Sequence, residues 1–538
     1  MSTGNPFALP TELQQQYYSA GHWRSEDFWQ SFMNVADARG GAVAFVEGDR
    51  ELTFAELRSA AERLGRAFMA AGLLPGDSVA VHGRHCLEST IVIAACAYAG
   101  LVPALLPHMF ASEQIRAILD NSGARVLVSL GENAETERAL RARERELVAT
   151  VVGDGSRAEG ASCTRWSDFM ATGAASEAAP RSRGADELAL LIFSSGTTGE
   201  PKGVMHSTNT LRFSVEAYAR FQSITADDVN LVVTAFGFVG SSVLGTFLTY
   251  LVGCRTVLQR SWSASDALAL VARHRVTHLL LMPTHAIDIL ESPDLDTTDC
   301  ASLGRGVIAG INEAHRLDAR ARFCKRPYPM YGMSESPAHV TGSTSDDIED
   351  LRTTEGRPLP ETELRICDDE DHPLPLGVQG NILVRGPNRF LGYYRNEALN
   401  RASLTADGFF RTGDVGVLDA RGMLTFVSRS KDIIRRGGVT ITPADVETAL
   451  RPHPRIADVA VVPVPDPRLG ERACACVITR DGADITLAEL TTFLERKAFP
   501  RYQWPEFVER FDVFPRTPSL KVQKPELRRQ LLERSRPR

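Results

Sequence analysis

The chain has 538 residues, 43% of them hydrophobic and 24% charged, with a formal net charge of -7. That balance belongs to a globular protein large enough for more than one domain, and it excludes the fibrous and disordered classes. An acidic total without a basic stripe argues against a nucleic-acid partner.

The longest uncharged apolar run, residues 91–106, falls short of the roughly 20 residues a membrane-crossing helix needs and is broken by Gly100 and Pro103. It predicts a buried helix followed by a strand and no membrane span. The start, M-S-T-G-N-P-F, lacks the basic and apolar segments of a secretion signal, so a cytoplasmic location is expected. Nine cysteines are scattered, and Cys474 and Cys476 flank one alanine in an alternating strand, which predicts reduced thiols and no structural metal. Lysine occurs only at 202, 325, 431, 497, 521 and 524 in a chain that otherwise uses arginine, so each marks a place where a compact ammonium is wanted.

In chain order, Tyr17, Tyr18 and Trp23 form an aromatic anchoring segment. Thr53-x-x-Glu56 is a capping-box signature, and Leu57, Ala60, Leu64, Phe68 and Met69 continue at helical spacing to a stop at Gly72. A strand at Val79-Ala80-Val81, the 91–106 run, a helix over 112–119 and a strand over 124–128 then alternate, which predicts a parallel or mixed α/β sheet. Residues 153–187, rich in Ala, Ser, Gly and Arg without periodicity, read mostly as surface connection.

The most informative stretch follows. An apolar lead-in, Leu188 to Phe193, runs into Ser194, Ser195, Gly196, Thr197, Thr198 and Gly199 and then Pro201-Lys202-Gly203. Glycines let backbone N–H groups turn toward an anion, hydroxyls add donors and Lys202 adds a charge, so this is chemistry for polyphosphate. It is not a Walker A loop, whose lysine follows glycine directly and precedes Ser or Thr. A flexible linker is the bland alternative, and the strand-like approach with its lone lysine argues against it.

The run resembles the phosphate loop of the adenylate-forming superfamily, which comprises acyl- and aryl-CoA ligases, peptide-synthetase adenylation domains and luciferases, and later motifs of the same family follow in order. Met330-Tyr331-Gly332-Met333-Ser334-Glu335 resembles the Y-G-x-T-E motif. The resemblance makes Tyr331 the adenine platform beside Gly332 and Gly310, Ser334 a phosphate contact and Glu335 the acid that helps hold Mg²⁺, which commonly sits on one carboxylate plus substrate phosphates. Thr412-Gly413-Asp414 resembles the motif whose Asp accepts the ribose hydroxyls. Ser428-Arg429-Ser430-Lys431-Asp432 resembles the family hinge, with Arg429 toward the ribose, Lys431 the pivot and Gly437-Gly438 beyond it. Pro515-Arg516-Thr517-Pro518-Ser519-Leu520-Lys521 resembles the P-R-T-x-S-G-K motif and puts Lys521 at the catalytic position, with Leu520 where Gly is usual.

The implied fold is α/β: a large N-terminal domain of mixed and parallel sheets over 1–430, and a small mobile α+β lid over 431–538 with strands near 459–463 and 473–478 and a helix near 487–497. The implied reaction is attack of a carboxylate on the α-phosphorus of ATP with loss of pyrophosphate, then thiolysis of the acyl-adenylate by coenzyme A. Because two anions must meet, the residues supply positioning and charge rather than covalent catalysis. A carrier-protein phosphopantetheine is the alternative thiol, a non-catalytic binding protein is a third reading, and the resemblance leaves a homodimer open. Arg435 and Arg436 suit the phosphates of coenzyme A, although paired arginines on a turn are more often simply solvated.

Strands over 230–234, 278–282 and 306–310 lead into the expected acyl pocket, lined by Phe236, Gly237, Phe238, Val239, Ile311, Met333 and Pro337, with Ser242 and His339 the nearest polar groups. Phe236 and Phe238 fit ordinary core packing equally well. Amino-acid-activating relatives carry an Asp, and hydroxyaryl-activating ones an Asn, where this chain has Gly237. The reading is that Gly237 leaves room and offers no charge, so a neutral hydrophobic acid is expected: alicyclic, simple aromatic or medium-chain.

Overall fold

A computed structural model describes residues 7, 9–131, 134–141, 147–153, 163–174, 177–195, 201–311, 313–436, 439–516 and 522–534. The backbone divides into two compact units, Met1–Leu364 with Val384–Phe410 and Arg421–Leu424, and Arg365–Leu383 with Arg411–Ala420 and Thr425–Arg538.

The first unit is built on two large sheets. One, eight-stranded, runs in the order Gly392–Tyr393, Pro201–Ser207, Leu188–Ser195, Val102–Pro107, Ser78–Gly83, Val126–Leu130, Ala149–Val152, Cys163–Arg165. Its last six strands are parallel, and Ser78–Gly83 and Val102–Pro107 are buried at every position, as strands covered on both faces must be. The other, seven-stranded, orders Pro327–Tyr328, Gly306–Ile308, His278–Leu281, Val229–Val232, Arg255–Leu258, Val43–Glu47, Arg50–Thr53 and ends in one antiparallel hairpin.

The periodic segments fold as their patterns dictate. The 57–69 stripe is helix Phe54–Ala70, with Thr53 and Glu56 closing a capping box at both bonds. The 91–106 run becomes helix Leu87–Ala99, a left-handed Gly100 at φ 68°, and the strand Val102–Pro107. Among the described residues no helix is long and apolar enough to cross a membrane.

One expectation holds only in part. Within 153–187, strand Cys163–Arg165 adds to the large sheet and Trp166–Ala174 is a helix. Phe169 lies 5.6 Å from Phe68, and a Cβ on Gly173 would sit 1.9 Å from the Arg63 carbonyl oxygen. The helix docks through Trp166, Phe169, Met170 and Gly173, an i, i+3, i+4, i+7 stripe two turns long that the flanking Ala, Ser and Gly residues obscure.

In the second unit a five-stranded sheet pairs Ile456–Asp466 with Gly470–Thr479 over ten positions, and Phe507–Arg510 runs parallel to the latter. Alternation sends Val459, Val461, Ala473, Ala475 and Val477 to one apolar cluster and Ala460, Val462, Cys474 and Cys476 to another. Helices Pro443–Leu450 and Leu487–Arg496 serve the first cluster and Lys524–Arg534 the second. All nine cysteines are free thiols. Lys524 is a structural ammonium, 2.6 Å from Glu447 Oε1, which also accepts the Val461 N–H.

Burial holds several imidazoles neutral. It lowers His206 and His339 to about 4 and His85 and His278 to about 3, from 6.5. Their folded-state pKa values lie below the unfolded one, so the unfolded chain binds more protons below pH 6.5. The stability they contribute is complete above pH 6.5 and is lost as pH falls toward 4, at up to about 1.4 kcal/mol per pH unit per group. Urea titrations should therefore give a flat midpoint from pH 7 to 8 and a steep fall between 6.5 and 4; a flat profile down to pH 5 would contradict the burial of these rings.

Candidate active site

In an open parallel sheet ligands gather at the carboxyl ends of the strands. Leu188–Ser195 ends there beside Val102–Pro107 and turns back antiparallel as Pro201–Ser207, with Phe193 opposite Gly203, Ser194 opposite Lys202 and Ser195 opposite Pro201. The intervening Gly196, Thr197, Thr198 and Gly199 lie outside the described residues, as do the side chains of Ser194 and Ser195. Lys202 Nζ stands 5.7 Å from the ring centre of Tyr393, a cation–π distance. Tyr393 Oη donates to Glu335 Oε1 at 2.7 Å, and the Phe390 N–H donates to the Glu335 carbonyl at 2.8 Å. Burial first, then the Glu335 charge, push the Tyr393 phenol up, so it stays a proton donor. The lysine of the phosphate hairpin and the acid of the Y-G-x-x-E motif are thus joined through one phenol.

That motif is a hairpin, Met330–Met333 against Ser336–Thr341. Gly332 is required by close approach, since a Cβ would lie 2.7 Å from the Ala338 nitrogen. Tyr331 is buried edge-on to His339 at 4.8 Å. His339 Nδ1 donates to the Ser336 carbonyl at 2.8 Å, and its buried Nε2 has no protein partner among the described residues.

His206 is a site residue that the motifs did not single out. Its Nε2 donates to the Ser334 carbonyl at 2.7 Å, because a carbonyl only accepts, and its Nδ1 faces the Thr210 hydroxyl at 3.1 Å. It ties the phosphate hairpin to the backbone of Ser334. The available signal was a lone histidine at the end of an alternating strand, P-K-G-V-M-H.

The acyl-pocket residues divide. Phe238, Val239 and Met333 are half-buried. Phe236, 1% exposed, belongs to the main core and stands edge-on to His85 at 5.3 Å. Ile311 is buried in an apolar cluster of the first unit with Leu281 and Ile308, just after Gly310 at φ 61°. Gly237 corrects the sequence reading: its φ is 86°, and a Cβ would lie 2.8 Å from Pro107 Cδ and 3.0 Å from Pro107 N. The glycine answers a backbone demand and a close approach, not a need for room. Ser242 accepts the Gly237 N–H at 3.2 Å and begins a π-helical turn, Ser242–Thr246, a device frequent at functional sites.

In the second unit, neighbouring strands Phe410–Leu418 and Leu424–Arg429 bring the two expected ribose contacts together. Arg429 Nε lies 3.4 Å from Asp414 Oδ1, whose side chain is 5% exposed. Lys431 is exposed in the short turn Ser430–Asp432. Arg436 is held by the Tyr502 carbonyl at 2.7 Å and Glu506 at 3.5 Å, whereas Arg435 makes only an exposed contact with Asp369 at 3.6 Å, so of the two expected phosphate cations Arg436 is the one already engaged. Lys521, Leu520, Gly437 and Gly438 lie outside the described residues.

Known proteins resemble this chain in sequence and in fold. The chain is 32% identical to a salicyl-AMP ligase / salicyl-S-ArCP synthetase of Mycobacterium tuberculosis over 97% of this chain and 94% of that one. It is 29% identical to a medium-chain fatty-acid–CoA ligase of Escherichia coli over 96% and 93%. The o-succinylbenzoate CoA synthetase (MenE) of Bacillus subtilis, solved with an acyl-adenylate intermediate, superposes with a TM-score of 0.80 at 26% identity, covering 94% of this chain and 98% of that one. A family model described as AMP-binding enzyme matches residues 32–394, and one for the AMP-binding enzyme C-terminal domain matches 445–521. The chain therefore belongs to the AMP-binding enzymes, the adenylate-forming superfamily that its phosphate-loop motif resembles.

Proposed function

We propose that this enzyme activates a neutral hydrophobic carboxylic acid with ATP and passes the acyl group to the thiol of coenzyme A, releasing pyrophosphate and then AMP. The observation that carries the reading is the Lys202–Tyr393–Glu335 link closed by His206 on Ser334, which gathers a cation, a carboxylate and a fixed backbone at the carboxyl end of a parallel sheet.

In the first half-reaction a carboxylate oxygen bonds to the α-phosphorus and the bond to the pyrophosphate oxygen breaks. Lys202, with Thr197 and Thr198, meets the departing pyrophosphate, and Lys521 supplies the ammonium between the two anions. Glu335 fits Mg²⁺: it offers a hard carboxylate oxygen oriented by the Tyr393 hydroxyl, and the ion when bound would neutralise phosphate charge. Asp414 and Arg429 receive the ribose, and Tyr331 the adenine. In the second half-reaction the thiol sulfur attacks the acyl carbon, AMP leaves with its electron pair, and the thiol proton passes to solvent.

Support for a neutral acid comes from the pocket's chemistry. No carboxylate stands at 237 to pair an ammonium, and the nearest polar groups are neutral: the Ser242 hydroxyl, which accepts the Gly237 N–H and keeps its own proton, and His339 Nε2, which has no protein partner among the described residues. Acid-dependent ATP–pyrophosphate exchange tests this: hexanoate- or benzoate-like acids should support exchange and standard amino acids should not. Robust exchange with an amino acid would overturn the substrate class. The second reading, transfer to a carrier-protein phosphopantetheine, is favoured by the 32% identical relative's name and would show as thioester on a carrier with coenzyme A inert.

Lys431 acts through backbone torsion in this account. Proline fixes φ and deletes an N–H, so Lys431→Pro should still form acyl-adenylate but fail at thioester formation. Normal coenzyme A-dependent turnover by that variant would remove the hinge.

A further inference from the structure

The turn through Gly310 and Ile311 carries a brace that lies outside every motif. Strand Gly306–Ile308 runs parallel between His278–Leu281 and Pro327–Tyr328, and the turn leaves its carboxyl end beside the start of the Tyr331 hairpin. Beyond the Ala309 N–H, which donates to the Leu281 carbonyl at 3.1 Å, the chain quits the ladder and passes through left-handed Gly310. A glycine in that conformation permits the turn but does not hold it.

Arg316 reaches back to the turn from helix Glu313–Arg322. Its side chain is buried, and its Nη2 donates to the Ile311 carbonyl at 3.4 Å and its Nη1 to the Leu351 carbonyl at 2.8 Å. One rigid fork thus spans two backbone carbonyls, a geometry that a single ammonium does not reproduce. The far carbonyl is itself anchored. Just past Leu351, the Glu355 N–H donates to the Leu424 carbonyl at 2.7 Å, Arg357 Nη1 donates to the Arg421 carbonyl at 2.9 Å, and Arg421 pairs with Asp350.

The acid whose charge acts on Arg316 is Glu355. Burial pulls Arg316 down and pushes Glu355 up, and each charge opposes the other's shift. The remaining charges on this side satisfy one another: Arg352 pairs with Glu313 and with Glu349 at 2.6 Å, and Arg320 faces Glu349 at 3.3 Å. A buried guanidinium and carboxylate are a poor source of stability, because apolar residues of similar volume commonly do as well. What the guanidinium supplies is direction, two hydrogen bonds that fix a turn which a ligand must find in place.

We propose that Arg316 is a positioning residue of the nucleotide and acid site, fixing the Ile311 carbonyl, and with it the Gly310–Ile311 turn, against the Leu351 backbone. The inference rests on the reading above that ATP and the acid meet at this turn. A slack turn weakens ground state and transition state alike, so its loss is read in affinity.

The experiment measures MgATP binding by the full chain calorimetrically, together with the urea midpoint. Arg316→Met should bind ATP at least tenfold more weakly and unfold at lower urea, since Glu355 loses its cation. Adding Glu355→Leu removes the stranded acid, so the double variant should regain most of the midpoint while ATP stays at least tenfold weaker. Should Arg316→Met not fold, Arg316→Lys keeps a cation for Glu355 without the fork, and ATP should bind at least threefold more weakly. Wild-type affinity in Arg316→Met or in Arg316→Lys would overturn the proposal. Affinity regained together with the midpoint in the double variant would also overturn it, making Arg316 a residue of stability alone. Amino-acid-dependent exchange would overturn the substrate class and leave this ATP measurement standing, so the two failures are distinct.

Discussion

Lys521→Ala is expected to lower acid-dependent adenylation by about 10²–10³-fold, the size of a lost preorganised electrostatic contact in a transition state. Carboxylate and α-phosphate repel, and an ammonium between them is worth most while the new oxygen–phosphorus bond forms. Thiolysis needs no such bridge, because the acyl carbon is already activated by its AMP leaving group. A synthetic acyl-adenylate given with coenzyme A should therefore yield thioester at close to the wild-type rate. Loss of both half-reactions to the same degree would make Lys521 a structural residue, and loss of neither would remove it from the chemistry.

Gly237→Ala should cost about 2–5 kcal/mol of folding stability, combining the left-handed backbone penalty of about 1–2 kcal/mol with an overpacking cost of about 1–3 kcal/mol. The new Cβ would meet the ring carbon and backbone nitrogen of Pro107, and neither is the free end of a flexible side chain. The loop to be displaced is also held by the Gly237 N–H on Ser242 Oγ and by Ser241 Oγ on the Ala235 carbonyl at 2.5 Å. Chemical denaturation measures this directly. Gly237→Asp would add a buried charge to the same strain, so its activity would report folding before specificity. A Gly237→Ala enzyme of wild-type stability would show that this loop moves freely away from Pro107.

These outcomes mark where the sequence was legible. Regular patterns carried the scaffold: the capping box at Thr53 and Glu56, the stop at Gly100 and the alternating pair of strands around Cys474 and Cys476 folded as written. The adenylate-forming fold and family were legible because several ordered motifs carried them together. Helix Trp166–Ala174 was missed because its stripe of Trp166, Phe169, Met170 and Gly173 spans only two turns inside a stretch rich in Ala, Ser and Gly. Gly237 was read by what its missing side chain would leave empty, whereas its role lies in φ, which a residue name does not display. His206 escaped for a related reason: it belongs to a strand, and only folding decides whether a polar side chain there meets water, a carbonyl or a cavity.

The central claim is tested most directly by measuring AMP release and free-thiol loss together, with a panel of neutral hydrophobic acids, ATP and Mg²⁺, with and without coenzyme A. AMP should appear only with an acid of this class, rise at least about tenfold on adding coenzyme A, and match thiol consumed one for one. Formation of ADP in place of AMP, or AMP release that ignores the acid and leaves the thiol intact, would contradict it.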